Sequence, residues 1–402
     1  MKLLRDVRVL DLGSFITGPY AAMLLAELGA DVVKVERPGS GDPFRAFRNG
    51  LYSSHFKAHN RNKRSIALDY TKPEGLETLQ VLVGTADVVV VNSRPGVADK
   101  LGIGYEALRE FNPRLIYCAI TGFGADGPYA NRPAFDNVGQ ALSGWSSRHR
   151  KDDDARVVGP AIADPITGHY AALGILAALH ERSLSGNGHL VEVNMLEASI
   201  ALGVEPIATY FDTGKPVPVF HRGAMSQAFN LTCSDGKRIG LHLSSPEKFW
   251  QGLCRAVGRE EWISRYPTRI DRAQHYDELA VQLSEIFRAR ARDEWIRRLE
   301  CEDVPFAPEH EIQDLESDPQ VRHLGVFYEL VHPKYGKVKG AHRPVRVDSD
   351  RAIDFRPPPD LGEHDDEILR EAGFSPERIA LLREKGVLTG PATMRPAPPK
   401  RE

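Results

Sequence analysis

Runs of aliphatic, mostly β-branched residues alternate with helical stretches through the first half of this chain, and that alternation constrains its fold most. Val7-Arg8-Val9-Leu10-Asp11-Leu12 reads as a strand, followed by a loop over Gly13 to Pro19. An apolar helix from Tyr20 to Leu28 ends at Gly29, and Asp31-Val32-Val33-Lys34-Val35-Glu36 is the next strand. Ser65 to Asp69 gives another strand, with a helix opening at Pro73-Glu74. Asp87 to Asn92, Leu115 to Ile120 and His189 to Val193 complete the set. Continuous apolar strands spaced by helices predict a parallel sheet covered on both faces.

The pattern changes in the second half. A Pro/Gly-rich stretch near 212–224 reads as a linker. From 225 to 325 a short strand pair around Ser234-Asp235-Gly236-Lys237 precedes charged amphipathic helices, Tyr276 to Ala291 and Asp293 to Glu300. This predicts a smaller α+β domain. Residues 326–388 return to the first domain, Val326 to Val331 pairing antiparallel with Pro344 to Val347. The proline-rich tail, 389–402, is expected to be disordered. At 402 residues, two domains are the natural expectation, with 1–224 opening the larger.

Charge and cysteine usage exclude several classes. A net charge of -3 gives no case for nucleic acid or an anionic membrane. Charge at Lys2, Arg5 and Asp6 interrupts the start too early for a signal peptide, and no apolar run approaches a membrane span. Cys118, Cys233, Cys254 and Cys301 form no C-x-x-C, which fits a cytoplasmic protein without a structural metal.

One carboxylate stands in an unusual setting. In Val158-Gly159-Pro160-Ala161-Ile162-Ala163-Asp164-Pro165 a Gly/Pro loop runs into a long apolar helix. Pro165 suits the first helical position and pushes Asp164 toward an extended N-cap conformation. Asp164 is then either a helix cap or a carboxylate nucleophile. Other chemistries fall away. The first βα turn, Gly13 to Gly18, is neither G-x-G-x-x-G nor a phosphate loop ending in Lys-Ser/Thr, although Glu36 stands where a ribose-binding acid would. No G-x-S-x-G occurs, and Ser245-Pro246-Glu247-Lys248 lacks the companion motifs of an S-x-x-K enzyme. His55 and His59 have no acidic base between them, and Asp152-Asp153-Asp154 reads as a solvated loop.

An ordered set of short motifs identifies a family resemblance. It comprises Val9-Leu10-Asp11-Leu12 with Gly18-Pro19, Leu28 to Glu36, Gly39-Ser40-Gly41-Asp42 and Asn62 to Asp69. Asn92-Ser93-Arg94-Pro95-Gly96 with Leu101-Gly102, Thr121-Gly122-Phe123-Gly124, Phe135-Asp136-Asn137 with Gln140, Asp164 with Gly168, and Leu361-Gly362-Glu363-His364 follow. From about residue 5 to 388 the chain resembles the class III CoA-transferases, a family that also contains α-methylacyl-CoA racemase.

The resemblance implies a Rossmann-like large domain whose parallel sheet is completed by the C-terminal segment, a small domain, and an interlocked homodimer. It implies coenzyme A transfer from an acyl-CoA to a carboxylic acid, with no permanently bound cofactor. Asp164 matches the family nucleophile, which forms an anhydride and then an aspartyl-CoA thioester. Phe15, Ile16 and Thr17 match the loop near the nucleotide, and Arg37 matches an arginine after the second strand. Leu68, Asp69, Tyr70 and Thr71, with Asn92, Ser93 and Arg94, match loops lining the CoA cleft. Lys100 matches a phosphate-binding base, and Arg132, Pro133, Ala134 and Phe135 match the pantetheine wall.

The chain departs from formyl-CoA transferase at Ile16, Thr71 and Lys100, where that enzyme carries Gln, Lys and Arg. Lys72 and Arg94 are expected to compensate. Arg222 to Gln227 replaces a tetraglycine loop, so the formyl/oxalate pair is not supported. Phe135 replaces the racemase histidine and has no basic atom for proton transfer. An acyl-CoA racemase, an intramolecular CoA-transferring isomerase and a non-catalytic CoA-binding protein remain the alternatives on this scaffold.

Overall fold

The computed structural model describes residues 2–47, 50–149, 155–157, 159–244, 246–350 and 355–389. The Asp152-Asp153-Asp154 run, Val158, Ser245 and the tail beyond Thr389 lie outside the described residues.

Six strands form one sheet: β1 (Arg8–Asp11), β2 (Asp31–Glu36), β3 (Lys63–Ala67), β4 (Val88–Val91), β5 (Ile116–Thr121) and β6 (His189–Asn194). Their order is β3-β2-β1-β4-β5-β6 and every pairing is parallel. Alternate side chains serve opposite faces. Val9, Val32, Val88, Val90 and Cys118 pack against the helices Thr17–Glu27 and Ala163–Ser185 through Ala21, Leu25, Ala171 and Ile175. Leu10, Val33, Val89 and Tyr117 face the other way, onto Leu79 and Leu82 of helix Pro73–Gly84 and onto the C-terminal helices. This two-faced burial is why the strands read as continuous aliphatic runs.

Among the described residues the C-terminal segment adds no strand to the sheet, contrary to expectation. Helices Asp365–Glu371 and Pro376–Glu384 place Ile368, Leu369, Ile379 and Leu382 in the core. The segment meets the edge strand β3 through single contacts: the His364 N–H donates to Ser65 O at 3.0 Å, Asp365 Oδ1 accepts the Ala67 N–H at 2.8 Å, and Leu388 bridges Leu68 just beyond the strand. Charge fixes the docking: Arg64 bonds Glu367 and Glu371 at 2.9 Å, and Arg8 bonds Glu371 at 2.8 Å.

The chain divides into two compact units, Met1–Val204 with Phe327–Glu402, and Glu205–Val326. The division comes earlier than the expected 224/225 break. The Pro/Gly-rich stretch lies inside the second unit, between helices Val204–Thr213 and His221–Ser226. That unit pairs β7 (Ala228–Thr232), β8 (Arg238–His242) and β9 (Phe306–Pro308) in an antiparallel sheet. Helices Glu247–Val257, Tyr276–Phe287 and Arg292–Cys301 cover it around Trp250, Trp262, Trp295 and Phe287.

In the first unit β10 (Phe327–His332) pairs with β11 (Gly336–Ala341), not with residues 344–347. A tight connection through Gly336, at φ 70°, returns the chain at once, and local closure leaves the later apolar run unpaired with β10.

Candidate active site

The loops after the strands gather on the C-terminal edge of the sheet. There β1 turns toward β2 on one side while β4 leads to β5 on the other, the switch point at which open α/β sheets bind ligands. Asn92, just after β4, clamps the loop after β1. Its Oδ1 accepts from the Ser14 N–H at 2.8 Å, and its Nδ2 donates to Ser14 O at 2.7 Å and Thr17 Oγ1 at 2.9 Å. Phe15 is held at φ 63°, a conformation costing on the order of 1 kcal/mol or more for a non-glycine residue. Asp42 Oδ1 accepts its N–H at 3.3 Å, and its ring sits edge-on to Phe44 and Phe135 at 5.4 and 5.7 Å.

A buried charge cluster supports this loop from below. Lys34 Nζ donates to Gly13 O at 2.9 Å and lies 3.0 Å from Asp42. Lys63 Nζ donates to Asp11, Pro19 O and Asn60 at 2.7–2.8 Å. Burial drives Lys63 down to about 8, against the attraction of Asp11. Burial would raise Glu36, but Arg45, bonded at 2.7 Å, overrides it and holds Glu36 at about 2. Every member of the cluster has a partner, the condition under which buried charge is tolerated.

Asp164 is not the N-cap. Ile162 takes that place, Asp164 is the second residue of helix Ala163–Ser185 and Pro165 the third. N–H groups of a first turn have no intrahelical acceptor, so Pro165 forfeits nothing there. The cap comes from another helix, Asp136–Leu142. Asp136 Oδ1 accepts the N–H groups of Ile162 at 2.8 Å and Asp164 at 3.1 Å. Asp136 Oδ2 accepts from Gln140 Nε2 at 2.5 Å, and the same nitrogen reaches Pro160 O at 3.5 Å. A side chain at Gly139 would strike Met195 and Ala163, so this short helix sits hard against the start of the long one.

Among the described residues no group hydrogen-bonds the carboxylate of Asp164, a residue that is 9% exposed. Burial, then the Asp136 charge, raises its carboxyl to about 7. A desolvated carboxylate on a helix start, with its lone pairs uncommitted, can act as a nucleophile near neutral pH.

The residues expected to hold CoA all follow the C-terminal ends of β1 to β5 in the chain, in different states. Phe15, Ile16 and Thr17 follow β1, and Arg37 follows β2, exposed and without an ion pair among the described residues. Leu68 is fully buried, so its side chain is not open to a ligand. Asp69 bonds Thr71 at 2.5 Å and donates its N–H to Val387 O, and Tyr70 packs on the core. Asn92 is a scaffold for the loop after β1, Ser93 is half-buried beside it, and Arg94 is exposed with a 3.5 Å bond to Asn131 O. Lys100 ends helix Val97–Lys100, exposed. Arg132 stacks at 3.9 Å on Tyr129, Pro133 and Phe135 are exposed, and Ala134 touches the Gly122 position. Lys72 is no compensating cation, because Lys385 O and Gly386 O occupy its ammonium at 2.9 and 3.0 Å. Arg222 to Ser226 is helical, and Gly223 lies where a Cβ would meet Tyr276.

Asp136 and Gln140 carry no role in the sequence analysis beyond their place in a motif. Their i, i+4 spacing at a helix start was the available signal.

Residues 4–365 match the family model for CoA-transferase family III. The human succinyl-CoA:glutarate CoA-transferase is 34% identical over 399 residues, covering 96% of this chain and 90% of the relative. A formyl-CoA:oxalate CoA-transferase of Rhodopseudomonas palustris is 32% identical over 421 residues, covering 97% and 98%. The crystal structure of a CAIB/BAIF family protein from Brucella suis superposes with a TM-score of 0.79 at 32% identity, covering 92% of this chain and 99% of that one.

Proposed function

This chain belongs to CoA-transferase family III and is a CoA-transferase, and within that activity we propose that Asp164 carries coenzyme A between two carboxylic acids. The Asp164 carboxylate attacks the donor thioester, forming an aspartyl–acyl anhydride and releasing CoA thiolate. The thiolate attacks the Asp164 carbonyl, giving an aspartyl-CoA thioester and the free donor acid. The acceptor carboxylate attacks that thioester, and the thiolate then attacks the acceptor carbonyl. Asp164 is regenerated with no net proton change. The observation that carries this reading is the buried, uncapped carboxylate whose neighbouring amides are bonded to Asp136 instead.

Coenzyme A enters along the C-terminal edge, with Arg37, Arg94 and Lys100 as the exposed cations for its phosphates. Phe15 and Phe135, packed edge-on at 5.7 Å, offer apolar contact for the CoA arm. Two relatives are named for small acids, glutarate and oxalate, which supports a small carboxylic acid as acceptor. Phe135 counts against racemisation by a His/Asp pair, having no atom to accept a proton. Two copies interlock as a homodimer: Leu173 and Leu184 on the long helix, Leu190 on the edge strand β6, and Ile200 and Leu202 after it are large apolar side chains left exposed in one chain.

The test is a screen of acyl-CoA donors against a carboxylic-acid panel. Asp164→Ala should lose transfer by at least about 10³-fold while CoA binding persists. Near-normal turnover by that variant would remove Asp164 from the mechanism.

A further inference from the structure

We propose that Asp136, braced by Gln140, is a positioning residue that fixes the backbone at 162–164 and keeps the Asp164 carboxylate free to attack. The proposal rests on Asp164 being the nucleophile. One oxygen of Asp136 holds two adjacent amide groups, those of Ile162 and Asp164, and the other is fixed by Gln140. Gln140 also reaches Pro160 O, so a single side-chain pair ties down both ends of the neck that leads into the helix. Such amides at a helix start demand an acceptor. Without Asp136 a local acceptor would be Asp164 itself, because short acidic side chains readily bond nearby backbone donors. The lone pairs needed for attack on a thioester would then be engaged. Asp136 therefore frees the nucleophile by supplying the cap from a different helix.

The arrangement has a second consequence, in charge. Elements packed on the long helix bring few groups toward Asp164. Tyr20 of the first helix stacks edge-on against His169, and Glu197 bonds Asn194 at 2.6 Å. Cys118 of β5 and His189 and Glu192 of β6 lie on strands packed along that helix, while His180, Glu181 and Arg182 stand near its far end. Asp136 is the charged neighbour that raises Asp164. Removing that charge without removing the acceptor should make Asp164 ionise at lower pH.

Single-turnover formation of the Asp164–CoA thioester, measured by quenched intact mass against pH, separates these effects. Asp136→Ala should slow formation about a hundredfold, the scale of a misplaced reacting group, with KM for acyl-CoA within about threefold. Asp136→Asn keeps an acceptor for the two amides, so its rate should stay within about tenfold of the parent, with the acid limb of its pH profile moved to lower pH. Should Asp136→Ala fail to fold, Asp136→Asn and Gln140→Ala decide the matter. A parental rate in Asp136→Ala or, where that variant does not fold, a parental rate in Gln140→Ala with an unmoved acid limb in Asp136→Asn, would overturn the positioning role. If the parent enzyme forms no thioester on Asp164 at all, the nucleophile assignment falls instead, so the two failures are distinguishable.

Discussion

Burial and the Asp136 charge raise the Asp164 carboxyl from the ordinary carboxylate range to about 7, and this couples reactivity to stability. With the folded value above the unfolded one, the stability contribution is full below pH ~4 and is lost as pH rises through about 7. Asp164→Asn has nearly the same shape and cannot ionise. Its melting temperature relative to the parent should therefore increase by several degrees between pH 4 and pH 8. A constant difference across that range, measured by calorimetry, would show that Asp164 does not ionise under strain. The importance of Asp164 was legible in sequence from its Gly/Pro neck and from Pro165. Its neighbour was not, because Asp136 acts across 28 residues of chain and only the packing of two helices reveals it. Lys72 misleads for the same reason: an isolated basic residue gives no sign that carbonyls 313 and 314 residues away will hold it.

Among the elements, the parallel strands were the easiest to read, since burial on both faces leaves unbroken aliphatic runs such as Val88–Val91. Strand β9 has only three residues, and β11, Gly-Lys-Val-Lys-Gly-Ala, holds a single large aliphatic, so neither carries a hydrophobic pattern to detect. The long helix and the first helix cross closely at Gly168, where a Cβ would fall 2.9 Å from the Tyr20 ring and 3.0 Å from Thr17 O. That crossing sets the start of the long helix beside the loop after β1. Gly168→Ala must push these helices apart. We expect a cost of about 1–3 kcal/mol in chemical denaturation and a fall in kcat greater than that in CoA affinity. Unchanged stability would mean that the crossing tolerates a methyl group, and the site would not depend on it.

At the scale of the whole molecule, the alternating runs foretold an α/β fold on a parallel sheet, and the contact-based division at 204/205 differs from the expected break at 224/225. The second unit begins at Glu205, at the start of helix Val204–Thr213, where Gly203 and Pro206 are a fainter signal than the richer Pro/Gly run of 212–224. The exposed leucines of the long helix and β6 motivate the proposed interlocked pair, which would bury far more than a standard interface of about 1,600 Å². Sedimentation at nanomolar concentration should show one species of twice the chain mass; a folded monomer on dilution would refute the interlocked arrangement. The most direct measurement of the central claim is the intact mass of the enzyme after incubation with a turnover-competent acyl-CoA and no acceptor. The account predicts a gain of one coenzyme A less one water, released by hydroxylamine, mapped to Asp164 and absent from Asp164→Ala. A donor that turns over while the enzyme mass never changes would contradict it and point to direct transfer between the two bound substrates.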